Sequence, residues 1–440
     1  MANTKLTKTF ASDSNRKTWT WSGWIKRSGL GGIQTLMTQV DGWSGNGNAG
    51  FYIIGDQLTS YNLTASLNSG TDSYNRPSRY LRDVNGFYHI VVRLDTTQST
   101  ASNRCRWYVN GEQLTDFVYA NYPSLNQDCN FNGGDPHGIG SHTTGTGNYF
   151  DGIMSHVHFA DGQSLEPTVF GSTDSTTGEW TININPTFTL GTHGFTILKD
   201  GNTITDQSSN SNDWSLSGGT LTKTEDCPDN VFATLNGILQ TNEILSNGNT
   251  SANSASATWS YVATTIGVSS GKWYAEFLCS GAANTFMHGV TDLQYATRQG
   301  GYIGAATIAR GVGYLSINGS SYIDDTTSGY GASYVVGDII GCALDMDNNK
   351  VYFSKNGVWQ NSGDPTSGAT GTGALSLPTT GTYGFGTSNK DDSTTRANFG
   401  NGYFGTTAVS SAGTNASGNG IFEYDVPTGY TALSTKGLNL

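Results

Sequence analysis

The chain has 440 residues, of which 13% are charged and 59 are glycine, roughly half the usual charged fraction and about twice the usual glycine share of a soluble protein. With 10 Trp, 22 Tyr and 18 Phe the composition excludes intrinsic disorder, which needs few aromatics and high charge, and the scarcity of Glu, Lys and Arg excludes a mainly helical protein. A net charge of -12 with 22 Lys and Arg and no basic stripe excludes a nucleic-acid partner, and no run of about 18 apolar residues is present to cross a membrane.

At roughly 100–200 residues per domain the length predicts two or three domains, and short alternating runs broken by Gly, Asn, Ser and Asp predict antiparallel strands. The first strong run, 18–25, places Trp19, Trp21 and Ile25 on one face. In 87–95, Tyr88, Ile90, Val92 and Leu94 share a face, with His89 and Arg93 opposite. The run 104–110 leads into Asn110-Gly111, a pair that accepts the positive φ of a tight hairpin turn. The run 150–159 is a further strand, with Ile153, Val157 and Phe159 toward the core.

Residues 166–228 are rich in Thr, Ser, Asn and Gly but keep apolar pieces such as Phe195 to Leu198, which predicts an extended connector that packs on one or both domains rather than a flexible linker. Strands resume near Thr258; in 272–279, Trp273, Phe277 and Cys279 share a side. A hairpin of 339–346 and 350–354 turns at Asp347-Asn348-Asn349, and Asn356-Gly357 follows. No window of 12 residues carries a helical period. In both halves an apolar strand precedes an aromatic strand that ends in Asn-Gly, which predicts two sandwiches of related architecture.

The residues that carry a family resemblance run from Asn15 to Arg27, from Phe87 to Asp95, from Trp107 to Glu112 and from Tyr149 to Gly162. On these segments residues 1–165 resemble a laminin-G-like, concanavalin-A-like domain. Gly271 to Phe277, Gly337 to Asp345, Val351 to Gly357 and Asn398 to Gly400 resemble a SPRY domain within 229–440. The combination is similar to structural proteins of tailed phages of marine bacteria. The fold class it implies is all-β: two antiparallel β-sandwich (concanavalin-A-like jelly-roll) domains in tandem, joined by the connector 166–228.

Because concanavalin-A-like sandwiches include glycoside hydrolases, paired carboxylates matter first. There is no Glu-x-Asp-x-Glu run, and Asp345 and Asp347 fall at the end of a strand, where a turn role is expected. The segment 345–356 opens like a calcium loop but has Lys350 where glycine is required and no Glu at its twelfth position. Gly267 to Gly271 matches a nucleophile elbow, yet a strand rather than a helix follows it. His156 and His158 stand two apart on one strand and are weak candidates for a metal site, which would need a third ligand such as His142 or Asp161. Trp43 and Tyr330 lie in Gly- and Ser-rich loops and are candidate platforms for a sugar ring, a protein contact or a ring tucked against its own domain. The five cysteines, Cys105, Cys129, Cys227, Cys279 and Cys342, are odd in number and widely spaced, so free, mostly buried thiols are expected.

The expectation is a non-catalytic structural or adhesion protein of a bacteriophage virion, tail-associated or capsid-decorating, made in the host cytoplasm without a secretory signal. Its expected partners are other virion proteins and a host-surface glycan, with no cofactor, and self-association is left open. The alternatives are a polysaccharide depolymerase and a bacterial lectin.

Overall fold

Apolar alternation resolves into strands throughout a computed structural model that describes residues 3–40, 48–61, 74–142, 147–199, 203–238, 242–296 and 300–440. Helix is confined among the described residues to five short 3-10 turns. The chain divides into two units, Met1–Lys223 and Thr224–Leu440.

The first unit contains β1 (Lys5–Thr9), β2 (Thr18–Arg27), β3 (Ile33–Val40), β4 (Asn48–Ile54), β5 (Gln57–Tyr61), β6 (Tyr74–Pro77), β7 (Tyr88–Asp95) and β8 (Cys105–Val109). It continues with β9 (Glu112–Gln113), β10 (Phe117–Asn121), β11 (Pro136–Ile139), β12 (Gly152–Asp161), β13 (Gly171–Thr173), β14 (Trp180–Ile182), β15 (Phe195–Ile197) and β16 (Ser215–Gly218). One sheet has the order β10-β6-β5-β4-β3-β11-β1-β16 and the other β15-β12-β2-β7-β8-β9. They pack face to face: Trp19 and Trp21 of β2 meet Phe51 of β4 at 5.6 and 5.7 Å between ring centroids, and Phe51 lies 5.0 Å from Phe131. Ile90, Val92 and Leu94 join this core as expected.

Ile153 does not. The register of β12 against β2 shifts between Ser155 and His158, where His156 takes a φ of 48°. This bulge inverts the alternation, so Met154 packs toward the core on one side of it and Val157 and Phe159 on the other.

The segment expected as a connector is divided between the units. Residues 166–223 belong to the first, where β15 pairs with β12 and β16 pairs with β1. Ahead of them in the chain the hairpin β13–β14 pairs with itself, and Phe170, just before it, packs with Leu165, Val169 and Phe188 on Val91 and Tyr108, on the outer face of the β2–β7–β8 sheet.

The second unit contains β17 (Ile244–Ser246), β18 (Ser251–Ser254), β19 (Ser260–Ala263), β20 (Lys272–Gly281), β21 (Phe286–Asp292), β22 (Gly311–Leu315), β23 (Ser320–Ile323), β24 (Thr326–Gly329) and β25 (Ile339–Asp345). The remainder are β26 (Lys350–Lys355), β27 (Val358–Trp359), β28 (Leu375–Ser376), β29 (Tyr383–Asn389), β30 (Ser393–Asn398), β31 (Tyr403–Phe404), β32 (Thr407–Ala408) and β33 (Thr431–Ala432). The sheet β17-β18-β30-β20-β25-β26-β27 faces the sheet β19-β29-β21-β22-β23-β24 across a core that includes Trp273, Phe277, Phe353, Phe385 and Phe399. Outward from β20, β25 and β26, Tyr274, Ala343 and Tyr352 are covered by Phe422, Val426 and Tyr430 of the C-terminal segment. The chain is therefore two antiparallel β-sandwiches in sequence.

Candidate binding surface

Of the residues singled out from sequence, Trp43 lies outside the described residues. Tyr330 is 7% exposed: its ring packs edge-on to Tyr314 and Phe353, and its hydroxyl accepts the Phe353 amide at 3.1 Å. The loop that carries it folds back on the core because β26 leaves that amide to be satisfied, so Tyr330 offers no ring face to a ligand.

His156 and His158 are also buried. His156 Nδ1 meets Ser155 Oγ at 2.7 Å, and His158 Nδ1 meets Thr196 Oγ1 at 2.9 Å while its ring stacks on Phe170. Burial, with His156 beside it, holds the His158 imidazole neutral well below its ordinary range. The Asp161 carboxylate, a possible third ligand, accepts from Ser14 Oγ, the Asn15 amide, Asn132 Nδ2 and the His193 amide. Among the described residues no group of three His, Cys, Asp or Glu could hold a metal ion.

Two buried polar arrangements of the second unit were not foreseen from sequence. In the first, Thr395 Oγ1 donates to Asn389 Oδ1 at 2.7 Å, so the hydroxyl of Thr387, 2.8 Å away, donates to Thr395. Thr387 Oγ1 must then accept from His288 Nδ1 at 3.1 Å, which leaves Nε2 to accept the thiol proton of Cys279 at 3.4 Å. Asn389 Nδ2 passes on to Glu243 Oε1 at 3.1 Å, which Ser260 also reaches at 3.0 Å. Burial pushes the Cys279 thiol up and the His288 imidazole down to about 3, so the pair is a neutral core link and not a thiolate–imidazolium nucleophile. In the second, Glu276 is fully buried. Its two oxygens accept the amides of Tyr424 at 2.9 Å and Glu423 at 2.8 Å, joined by the Tyr274 hydroxyl at 3.2 Å and Asn398 Nδ2 at 3.4 Å. Burial raises this carboxyl to about 7 against the pull of those two amides.

Asp345 and Asp347 serve the turn: Asp345 accepts from the Asn348 amide and side chain and pairs with Lys272 at 3.0 Å, and Asp347 accepts the Gly271 amide. Ser269 precedes β20, a strand. All five cysteines are unbridged, with Cys227 half-buried and the others buried.

Solvent-facing aromatics occur elsewhere. Asn75 of β6 pairs with Ser60, which pairs with Phe51 of the core, so Tyr74 and Arg76 point to the outer side of the sheet. Across from them on β10, Tyr119 faces Arg76 and Asn121 faces Tyr74. Tyr119 is 54% exposed and its ring lies 5.2 Å from that of Tyr74. Two rings, a guanidinium and an amide thus share one strip at the edge of the sheet. Nearby in sequence Tyr80 is half-exposed, with the Arg82 guanidinium 4.1 Å over its ring. Sequence reasoning looked for loop aromatics and passed over this strip, whose signal is the charge-free strand Phe117 to Asn121 with apolar residues at consecutive positions.

Residues 3–169 match the concanavalin A-like lectin/glucanases superfamily, and residues 272–378 match the SPRY domain. The chain thus carries a laminin-G-type, concanavalin-A-like domain followed by a SPRY domain, in the expected order. No curated protein matches it. Among solved structures it is similar to the SPRY domain of human HERC1, at 16% identity over 37% of this chain and 96% of that one with a TM-score of 0.29. It is also similar to the heptameric SAP-like pentraxin of Limulus polyphemus, at 15% identity over 37% and 71% with a TM-score of 0.27.

Proposed function

We propose that the chain is a non-catalytic adhesion protein of a tailed-bacteriophage virion, tail-associated or capsid-decorating, that contacts glycans of the host surface through its first sandwich. The observation that carries the glycan reading is the Tyr74–Tyr119 pair, with Tyr119 54% exposed on a strand edge. Aromatic faces take up the apolar C–H face of a pyranose, and Arg76 and Asn121 beside them suit its hydroxyls. A solvent-exposed ring of this size on a rigid sheet costs little ordering entropy on binding. Asp345 and Asp347 are engaged in a turn and His156 and His158 in the core, which supports a binding role over a depolymerase. The virion assignment rests on the sequence resemblance of the two domains in tandem.

Titrating the full chain with host polysaccharide, by saturation-transfer NMR, tests the glycan reading. Saturable transfer centred on Tyr74 and Tyr119 is expected. Tyr119→Ala should weaken it at least tenfold while stability shifts by less than about 0.5 kcal/mol, as for other exposed sites. Release of oligosaccharides would establish the depolymerase instead, and absence of binding would remove the glycan. Electron-microscopic reconstruction of the virion, with the chain located or missing, decides the structural role.

A further inference from the structure

The outer face of the sheet formed by β2, β7, β8 and β12 is polar by alternation, yet it is buried. Its cover is the segment 163–190. At one end Thr20 Oγ1 donates to the Gln163 carbonyl and accepts the Leu165 amide, and Arg93 and Tyr108 bind Glu166. At the other end the Leu190 carbonyl accepts the Asp161 amide. Between these anchors the hairpin β13–β14 makes its ladder with itself alone, among the described residues. It is held down by side chains.

Two of the groups it sits on are histidines. His89 is fully buried between the rings of Trp24 at 4.7 Å and Trp180 at 5.9 Å. Trp180 Nε1 donates to His89 Nδ1 at 3.0 Å, so the ring proton is on Nε2 and goes to Ser22 Oγ at 2.9 Å. His158 stacks on Phe170 at 5.5 Å and meets Phe188 edge-on at 5.9 Å.

We propose that 163–190 is an acid-releasable cover, whose hairpin lifts from the sheet when His89 and His158 take up protons. A protonated His89 has no lone pair for the Trp180 N–H, so two donors would face each other inside an aromatic slot. The surroundings offer no compensation. The titratable and charged groups around the two rings are Arg93, Arg106 and Tyr108 on β7 and β8, Lys26 further along β2, Glu166 on the cover, and His156 and Lys199 beside His158. Cations predominate; the Glu166 carboxylate is held by Arg93 and Tyr108, and that of Asp206, behind Thr196, by the amides of Thr196, Ser208 and Asn212. Burial keeps His89 neutral to about 3, whereas an exposed imidazole protonates near 6.5. Acid therefore favours any state in which the cover is off. That state presents Trp24, Val91 and Tyr108 to solvent, an aromatic face available only after acidification.

Hydrogen exchange of the full chain at pH 7 and pH 5, corrected for intrinsic rates, tests this. Amides of 171–182 should lose about 30-fold of their protection for each histidine that protonates on opening, or about a thousandfold for both. At both pH values they should stay less protected than those of β2 and β7, which open only when the whole unit unfolds. A change below threefold in 171–182, or protection in 171–182 equal to that of β2 and β7 at pH 5, overturns the proposal. His89→Gln, whose amide oxygen can still accept from Trp180, should remove about 30-fold of the response; a response equal to wild type overturns the role of His89. Independently of any variant, ring NMR should show His89 neutral with its proton on Nε2 down to pH 5, and titration near 6.5 in the closed protein overturns the proposal.

Discussion

In the first unit Asn110-Gly111 turns β8 into β9 and fastens to the start of β7, and in the second Asn356-Gly357 turns β26 into β27 and fastens to the start of β25. The geometry is the same: the Asn110 side chain accepts the His89 amide at 2.8 Å while its own amide bonds the His89 carbonyl, and Asn356 does both with Ile339. Both turns have positive φ at each residue, 49° and 77° in one and 49° and 79° in the other. A cover lies on each glycine: a Cβ at Gly111 would collide with the Trp180 ring, and one at Gly357 with the Tyr424 ring. Carrying the register across, Ser22 opposite Val91 corresponds to Glu276 opposite Gly341. Here the units part. The short Ser22 leaves a slot for a flat imidazole, and the cover is held by ring stacking. Glu276 reaches beyond the sheet and grips two backbone amides. One hairpin design thus supports covers whose response to protons runs in opposite directions.

The sharpest contrast is in pH. His89, His137 and, further still, His158 of the first unit are neutral when folded. They protonate near 6.5 when unfolded, so stability falls as pH drops below that value, by about 2 kcal/mol for each at pH 5. Glu276 and Glu243, raised to about 7, keep their protons when folded and lose them above about 4.5 when unfolded. Their contribution is full below about 4.5 and is lost as pH rises toward 7, by about 2–3 kcal/mol each. His288, held down to about 3, offsets part of this. Calorimetry combined with exchange mass spectrometry should find the first unit weakened by acid and the second not; parallel loss in both units would break the contrast.

Asp56→Ala is expected to cost the first unit about 3–5 kcal/mol, because it strips the buried Arg27 of its ion partner at 3.1 Å. Denaturant melts followed at the seven tryptophans of that unit measure it. Glu276→Ala leaves the amides of Glu423 and Tyr424 unanswered, at about 2–4 kcal/mol, and should raise exchange in 421–426 without altering the first unit. Glu276→Gln should in addition flatten the pH dependence of the second unit between 4.5 and 7. Thr387→Val interrupts the chain from Cys279 to Glu243 and should cost about 1–3 kcal/mol, with the ring NMR of His288 showing that Nδ1 has lost its acceptor; an unchanged His288 spectrum would show that the chain is not directed as described.

Much of each sandwich was legible in the chain. Trp19, Trp21, Ile90, Val92, Trp273 and Phe277 all lie on the faces that alternation assigned them, and both Asn-Gly turns fall where their φ tolerance placed them. Ile153 was misplaced because one residue with positive φ, His156, inverts the parity of β12, and no residue type announces a bulge at histidine. Of the candidate site little was legible. Tyr330 looks like a loop aromatic until the Phe353 amide is seen to need it, and Tyr119 looks like a core residue until β10 is found at a sheet edge.

By itself the sequence determined the strands, their inner faces and the tight turns, because alternation and positive φ are properties of two to ten consecutive residues. Alternation puts His89 and Arg93 on the face opposite the core, which reads from sequence as surface. Tertiary structure decided that part of that surface is internal. His89 meets Trp180 across 91 positions and Glu276 meets Glu423 across 147, contacts that no local pattern encodes, since the entropy of closing such loops grows only slowly with length and leaves their pairing to packing and hydrogen bonding alone.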